Sequence, residues 1–160
     1  MVVGKSIEFD GNAAMHWPAL KSPVKSIFNA FCVTIFKYIP PSELKNSLYR
    51  SILGVKIGKD VAISPDVLFD PFFPELIEIG DGTLLGWGCR IFTHEFHLHR
   101  VIIGKVKVGS HVMLGGFVTV RPGVSIGDKA IVQANSFVDK DVLPGKLVGG
   151  NPIIQIKKKE

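Results

Sequence analysis

The chain has 160 residues, 46% of them hydrophobic and 21% charged, with a formal net charge of +5. That is enough chain to bury a core, and it is too apolar for an intrinsically disordered segment. The basic balance suits anionic partners such as phosphates, but no run of basic residues interleaved with aromatics marks a nucleic-acid surface.

Residues Met1 to about Ser22 read as irregular, with Gly, Asn, Pro and Ser scattered through them. The start is polar and glycine-containing, so no signal peptide is expected. The two cysteines, Cys32 and Cys89, have no metal-type spacing. They read as free thiols in a reducing compartment, hence a cytoplasmic protein. Ser22-Pro23-Val24 predicts a helix start, with the serine as cap and the proline in the first turn. Ile27, Phe28, Phe31, Val33, Ile35 and Phe36 form an apolar segment ending at Pro40-Pro41, too short to span a bilayer. Lys21, Lys25, Lys37 and Lys45 raise a further option: residues 22–45 resting on a membrane that carries a lipid-linked acceptor. The polar face is broken, so a flank packed over the rest of the chain is the simpler expectation. Ser42-Glu43-Leu44 opens a second helix with Leu44, Leu48 and Ile52 on one face, closed by Gly54.

After Gly54 the periodicity changes. Val108, Leu114, Val120, Ile126, Val132 and Val138 recur every sixth residue. Neither a helix nor a single flat strand needs that period. A solenoid of short strands does, with each aliphatic residue pointing inward and Gly or Asp turning the corners. The frame begins at Ile57, Ile63 and Phe69. It slips by four at the insertion Asp70-Pro71-Phe72 and resumes at Phe73, Ile79, Leu85 and Ile91. It breaks again from Thr93 to about Lys105, which is expected to leave the solenoid as a loop. Residues 1–54 are therefore predicted as an irregular and helical N-terminal flank. Residues 55–160 are predicted as the β-helix, with a loop extruded at 93–105 and a mainly β fold class overall.

Residues Ile57 to Ile156 resemble the hexapeptide-repeat acyltransferases, such as the maltose, galactoside and polysaccharide O-acetyltransferases. The resemblance rests on Pro74-Glu75-Leu76-Ile77-Glu78-Ile79-Gly80-Asp81, Gly86-Trp87-Gly88-Cys89-Arg90-Ile91, Thr93-His94-Glu95-Phe96 and Gly149-Gly150-Asn151-Pro152. It implies a left-handed parallel β-helix, a hand the repeat itself does not supply, since ordinary parallel crossovers are right-handed. It also implies a homotrimer that transfers an acyl group, expected to be acetyl, from coenzyme A to a hydroxyl acceptor such as a carbohydrate.

By that resemblance His94 is the general base, a task for which the near-neutral pKa of histidine is suited. A carboxylate holding the other ring nitrogen would fix the tautomer. Asp70, at the frame slip one coil earlier, is the candidate, with Asp66 as a weaker alternative. His97 and Trp87 are candidates for the acceptor pocket. Gly115, Gly116, Ala134 and Asn135 match positions along the coenzyme A groove, with an oxyanion donor expected among the backbone N–H groups near Gly115-Gly116. Lys140 and Lys157 match positions near the nucleotide phosphates. No metal is expected, because the spacing His94-x-x-His97-x-His99 keeps three histidines in one loop rather than on separate coils. Two other readings are a trimeric scaffold that lost transfer and, less favoured, a zinc hydratase of carbonic-anhydrase type.

Overall fold

The computed structural model describes residues 4–156. The stretch expected to be irregular holds a strand, β1 (Lys5–Glu8), a 3-10 turn at Ala13–His16 and a one-turn helix, α1 (Trp17–Leu20). Helix α2 (Pro23–Phe36) begins at Pro23 as predicted, although the Ser22 side chain makes no capping hydrogen bond. Helix α3 (Glu43–Leu53) is capped by the Ser42 hydroxyl on the Lys45 N–H and closed by Gly54 at φ 72°. That left-handed value is one glycine adopts without strain.

From Val55 the chain winds as a left-handed parallel β-helix with three flat sides. The first coil contains β2 (Lys56–Ile57), β3 (Ala62–Ile63) and β4 (Leu68–Phe69). The second contains β5 (Ile77–Ile79), β6 (Leu84–Leu85) and β7 (Arg90–Ile91). The residues expected to form a loop instead form an antiparallel hairpin, β8 (His94–Phe96) and β9 (Arg100–Ile103), and β1 pairs with β9 as a third strand. The third coil contains β10 (Val106–Val108), β11 (Met113–Leu114) and β12 (Thr119–Val120). The fourth contains β13 (Ser125–Ile126), β14 (Ile131–Val132) and β15 (Phe137–Val138). The last turn keeps β16 (Leu147–Gly149) in register with β14, and β17 (Ile154–Gln155) folds back antiparallel against it.

The register places like on like. Ile57, Ile79, Val108 and Ile126 stack on one side, Ile63, Leu85, Leu114, Val132 and Val148 on the second, and Phe69, Ile91, Val120 and Val138 on the third. These side chains are buried, each contributing about 2 kcal/mol from removal of apolar surface from water. Phe73 is not among them. It is half-buried ahead of the 3-10 turn Pro74–Leu76, so the frame resumes at Ile79 instead.

The helical flank departs from the expected polarity. Helix α3 turns Lys45, Asn46, Tyr49 and Leu53 inward and leaves Leu44 exposed, with Leu48 and Ile52 half-buried. The Lys45 ammonium is fully buried and donates to the carbonyls of Ile39, Ile63 and Ser64 at 2.8, 3.0 and 3.1 Å. Burial pushes its pKa down to about 8. Lys45 is therefore no part of a membrane-facing basic surface, and Lys21 and Lys37 are paired with Glu75 and Asp66. No helix among the described residues is long and apolar enough to cross a membrane. Helix α2 buries Ser26 and Asn29 with Cys32, Val33 and Phe36, and it exposes Val24, Ile27, Phe28, Phe31 and Ile35.

Lys45 ties the flank to the first coil, so replacing it strands three carbonyls. Lys45→Met is expected to lower stability by about 2 kcal/mol, measured as a fall in the urea midpoint with unchanged slope. An unchanged midpoint would show that the three bonds do not hold the flank.

Candidate active site

The two breaks in the repeat meet at one corner of the solenoid. Asp70 follows the inward Phe69, and its N–H donates to the Ile91 carbonyl at 2.9 Å, so the residue is still held by the ladder. Its side chain is fully buried. Oδ1 accepts from the Phe72 N–H at 2.7 Å, which shapes the insertion. Oδ2 accepts from the Thr93 and His94 N–H groups at 2.8 and 2.9 Å, which shapes the start of the hairpin. The Thr93 hydroxyl donates to the Phe73 carbonyl at 3.0 Å, a second tie between the two breaks.

The same Oδ2 lies 2.5 Å from His94 Nδ1. A carboxylate only accepts, so the contact makes Nδ1 the protonated nitrogen of the neutral ring and leaves Nε2 with the basic lone pair. Such a nitrogen can take up a proton from a hydroxyl brought against it. Burial by itself would raise the Asp70 pKa. The hydrogen bond and charge of His94, with the N–H groups of Thr93 and Phe72, outweigh it and hold the carboxyl below its ordinary value of 3.8.

The His94 ring is enclosed by aromatics, with centroids of Phe72, Phe96 and Phe73 at 4.6, 5.1 and 6.3 Å. On another side it borders a cavity of about 220 Å³ lined by Phe92, Glu95, Thr119, Arg121, Pro122 and Phe137. Glu95 Oε2 accepts from Arg121 Nε and Nη2 at 2.9 and 2.7 Å, so Glu95 turns away from His94. Spacing alone does not single out Arg121. The register does, because Asp70, Phe92, Arg121 and Asp139 each follow the inward residue of their coil on this side.

A second group forms at the other end of the same strands, in the turns that precede β7, β12 and β15. Trp87 is exposed there, and its carbonyl accepts from the Phe117 N–H at 2.8 Å. A Cβ on Gly116 would come 3.3 Å from that carbonyl oxygen, a tight contact, and the Gly116 carbonyl accepts from the Asn135 N–H at 2.9 Å. Gly115 is a corner requirement, since a Cβ would come within 2.5 Å of the Ala134 nitrogen. Its N–H donates to the Val132 carbonyl, so it is not available as an oxyanion donor. Ala134 and Asn135 are exposed. Within one protomer Trp87 and this corner lie across the strands from His94, not beside it.

Lys140 follows β15 at its far end and borders a shallow cavity with Val142, Ile153 and Gln155. Lys157 lies outside the described residues. Asp66 pairs with Lys37, away from His94. His97 is at the hairpin turn, with Nε2 3.5 Å from Glu95 Oε1, and His99 Nδ1 bonds to the Gly11 carbonyl. The three loop histidines therefore face different partners, and no group of three His, Cys, Asp or Glu side chains among the described residues could hold a metal.

Asp70 joins both breaks, so its charge carries local stability. With its folded pKa held below the unfolded one, that contribution is complete at neutral pH and disappears as pH falls below about 3.8. Asp70→Asn is expected to cost about 3 kcal/mol at pH 7 and progressively less towards pH 2, measured by urea unfolding. A pH-independent difference would overturn the charged assignment.

The bacterial transferase hexapeptide family (six repeats) matches residues 105–140. YvoF of Bacillus subtilis, provisionally named an acetyltransferase, is 42% identical over 137 residues, which are 86% of this chain and 80% of YvoF. Among solved structures, the hexapeptide-repeat acetyltransferase VCA0836 of Vibrio cholerae, in complex with acetyl-CoA, superposes with a TM-score of 0.68 at 26% identity, over 91% of this chain and 90% of that one. A galactoside acetyltransferase in complex with coenzyme A superposes at 0.67 and 22% identity, over 85% of this chain and 81% of that one, which bears on the fold alone. With the repeat, the coil register and this likeness to YvoF together, the chain belongs to the hexapeptide-repeat acetyltransferases.

Proposed function

We propose that this chain transfers the acetyl group of acetyl-CoA to a hydroxyl of a carbohydrate acceptor, with His94 as general base and Asp70 as its positioning residue. The observation that carries the reading is the 2.5 Å contact between His94 Nδ1 and Asp70 Oδ2. Nε2 takes the acceptor's proton as its oxygen attacks the thioester carbonyl. The tetrahedral intermediate then expels the coenzyme A thiolate, which recovers that proton from the imidazolium. The buried carboxylate stabilises the transient imidazolium and prevents the ring from turning. Cys89 is no nucleophile here. It is buried, its Sγ donates to the Gly115 carbonyl at 3.1 Å, and burial pushes its pKa up to about 11.

Acetyl-CoA is the donor this family membership supports, and the Vibrio neighbour was crystallised with it. The small, open corner of Gly116, Ala134 and Asn135 beside Trp87 suits the extended pantetheine arm, and Lys140 carries charge suited to a phosphate. His97, at the hairpin turn, is the remaining candidate for the acceptor. The corner and His94 lie at opposite ends of the strands, so a second copy must bring them together. The middle side of the solenoid supplies a surface for it. Its outward residues Ala62, Leu84, Met113, Ile131 and Leu147 form one apolar column in register. The side bearing Ile57 has Lys56, Glu78, Lys107 and Ser125 outward instead. An apolar column of this kind suits contact with a second copy, and the trimer that the family resemblance implies would cover it.

His94→Ala and Asp70→Asn are each expected to lower kcat by about a hundredfold or more while calorimetry still shows acetyl-CoA binding. Near-wild-type turnover of His94→Ala would remove His94 from the mechanism. Met113→Glu is expected to convert trimers to monomers in sedimentation and to abolish turnover. A fully active monomer would overturn the shared cleft.

A further inference from the structure

We propose that Asn29 of α2 is a further positioning residue for the transfer: through the Pro71–Phe72 peptide it fixes the Asp70 carboxylate that orients His94. This rests on the reading of His94 as the base.

Asn29 is fully buried, and its Nδ2 donates to the Pro71 carbonyl at 3.0 Å. As a source of stability it is a poor choice. Its Oδ1 is enclosed with no hydrogen-bond partner among the described residues, and desolvation of that oxygen offsets the bond made by the nitrogen. What the amide supplies is a donor at one carbonyl.

That carbonyl matters because of the peptide it belongs to. The Pro71 C=O and the Phe72 N–H are the two ends of one planar trans unit and point in opposite directions. The carbonyl accepts from Asn29, and the N–H donates to Asp70 Oδ1 at 2.7 Å. Asp70 Oδ2 in turn lies 2.5 Å from His94 Nδ1. These contacts run unbroken from α2 to the imidazole, and the peptide cannot turn without losing the first two. A donor on the carbonyl also polarises the peptide and strengthens the N–H at its other end.

The two oxygens of Asp70 are not equally secured. Oδ2 accepts from the N–H groups of Thr93 and His94, at the start of the hairpin that pairs β8 with β9. Oδ1 accepts from the Phe72 N–H, with the Phe73 N–H more distant at 3.4 Å. Among the described residues, neither Pro71 nor Phe72 makes a backbone hydrogen bond to a coil. The insertion therefore takes support from the flank. Besides Asn29, Trp17 packs edge-on to Phe72 at 5.9 Å, and the Lys21 ammonium lies 5.1 Å from the Phe73 centroid. Both phenylalanine rings border His94.

The test uses the full chain with isotope-labelled histidine and reads the ring-nitrogen NMR shifts of His94, assigned by their loss in His94→Ala. Wild type is expected to hold one tautomer, with the proton on Nδ1. Asn29→Leu, similar in size but without a donor, is expected to give a mixture of tautomers. Combined with Asp70→Asn, it is expected to change the shifts no further than Asp70→Asn does alone. In turnover of acetyl-CoA with methyl β-D-glucoside, Asn29→Leu is expected to lower kcat about tenfold or more with KM for acetyl-CoA unchanged. Asn29→Gln, which keeps the donor, is expected to restore the single tautomer. Asn29→Asp, of the same size with an acceptor where Nδ2 donates, decides the question by the same shifts if the leucine variant does not fold. Wild-type shifts in Asn29→Leu, or an effect of equal size with and without Asp70, overturns the role of Asn29 and leaves the His94–Asp70 pair standing. If the shifts change as expected while His94→Ala turns over like wild type, Asn29 stands as the support of Asp70 and the reading of His94 as base fails.

Discussion

The stacking of coil on coil is the constraint on which everything else depends. Each strand contributes one inward side chain, and the parallel register puts it directly over its counterpart in the coil before. The backbones approach so closely at the corners that a side chain has no room: a Cβ on Gly80 would come within 2.6 Å of the Gly109–Ser110 peptide. A solenoid built this way is rigid along its length but has little freedom in any one coil. Chemistry must therefore be placed where the repeat is interrupted or where one copy meets another.

The interruptions are both at the corner that follows the Phe69 and Ile91 strands, one coil apart. A buried carboxylate there would be costly without partners, and Asp70 has five: four backbone N–H groups and the imidazole. The same oxygen that orders the hairpin start orients the ring of His94. The positioning of the imidazole is thus not a separate device added to the fold. It is the means by which the solenoid absorbs an insertion and an excursion without leaving a charge unpaired.

The N-terminal flank obeys a different rule. Its inward face is polar wherever it meets the open carbonyls of the first coil. Lys45 serves Ile63 and Ser64, Asn46 serves Val61, and Arg50 serves Ile57 and Gly58. An end coil exposes unpaired strand acceptors, and the helices satisfy them with side-chain donors as well as with apolar contact. This is why charge appears inside α3. On α2 the consequence is an outward apolar stripe that the protomer itself does not cover.

The solenoid was legible in the sequence because its signal is local: six-residue spacing of aliphatics from Val108 to Val138 admits few other folds. His94 and Asp70 were legible as the residues at the two breaks, and counting coils sufficed to bring them near one another. The reach of Asp70 to Nδ1 was not, because it follows from how the insertion folds under Phe72. The inward Lys45, the outward Phe28 and the pairing of β1 with β9 were hidden for the same reason. Helical spacing identifies a stripe but not its direction, and that direction was decided by the unpaired carbonyls of the first coil. Arg121 lay between, marked by register yet assigned to Glu95 only once the hairpin was in place. The sequence by itself determined the repeat and the positions of its breaks, which depend on spacing alone. Tertiary structure decided which side chains those breaks bring into contact, since the contacts depend on long-range hydrogen bonds that no local pattern encodes.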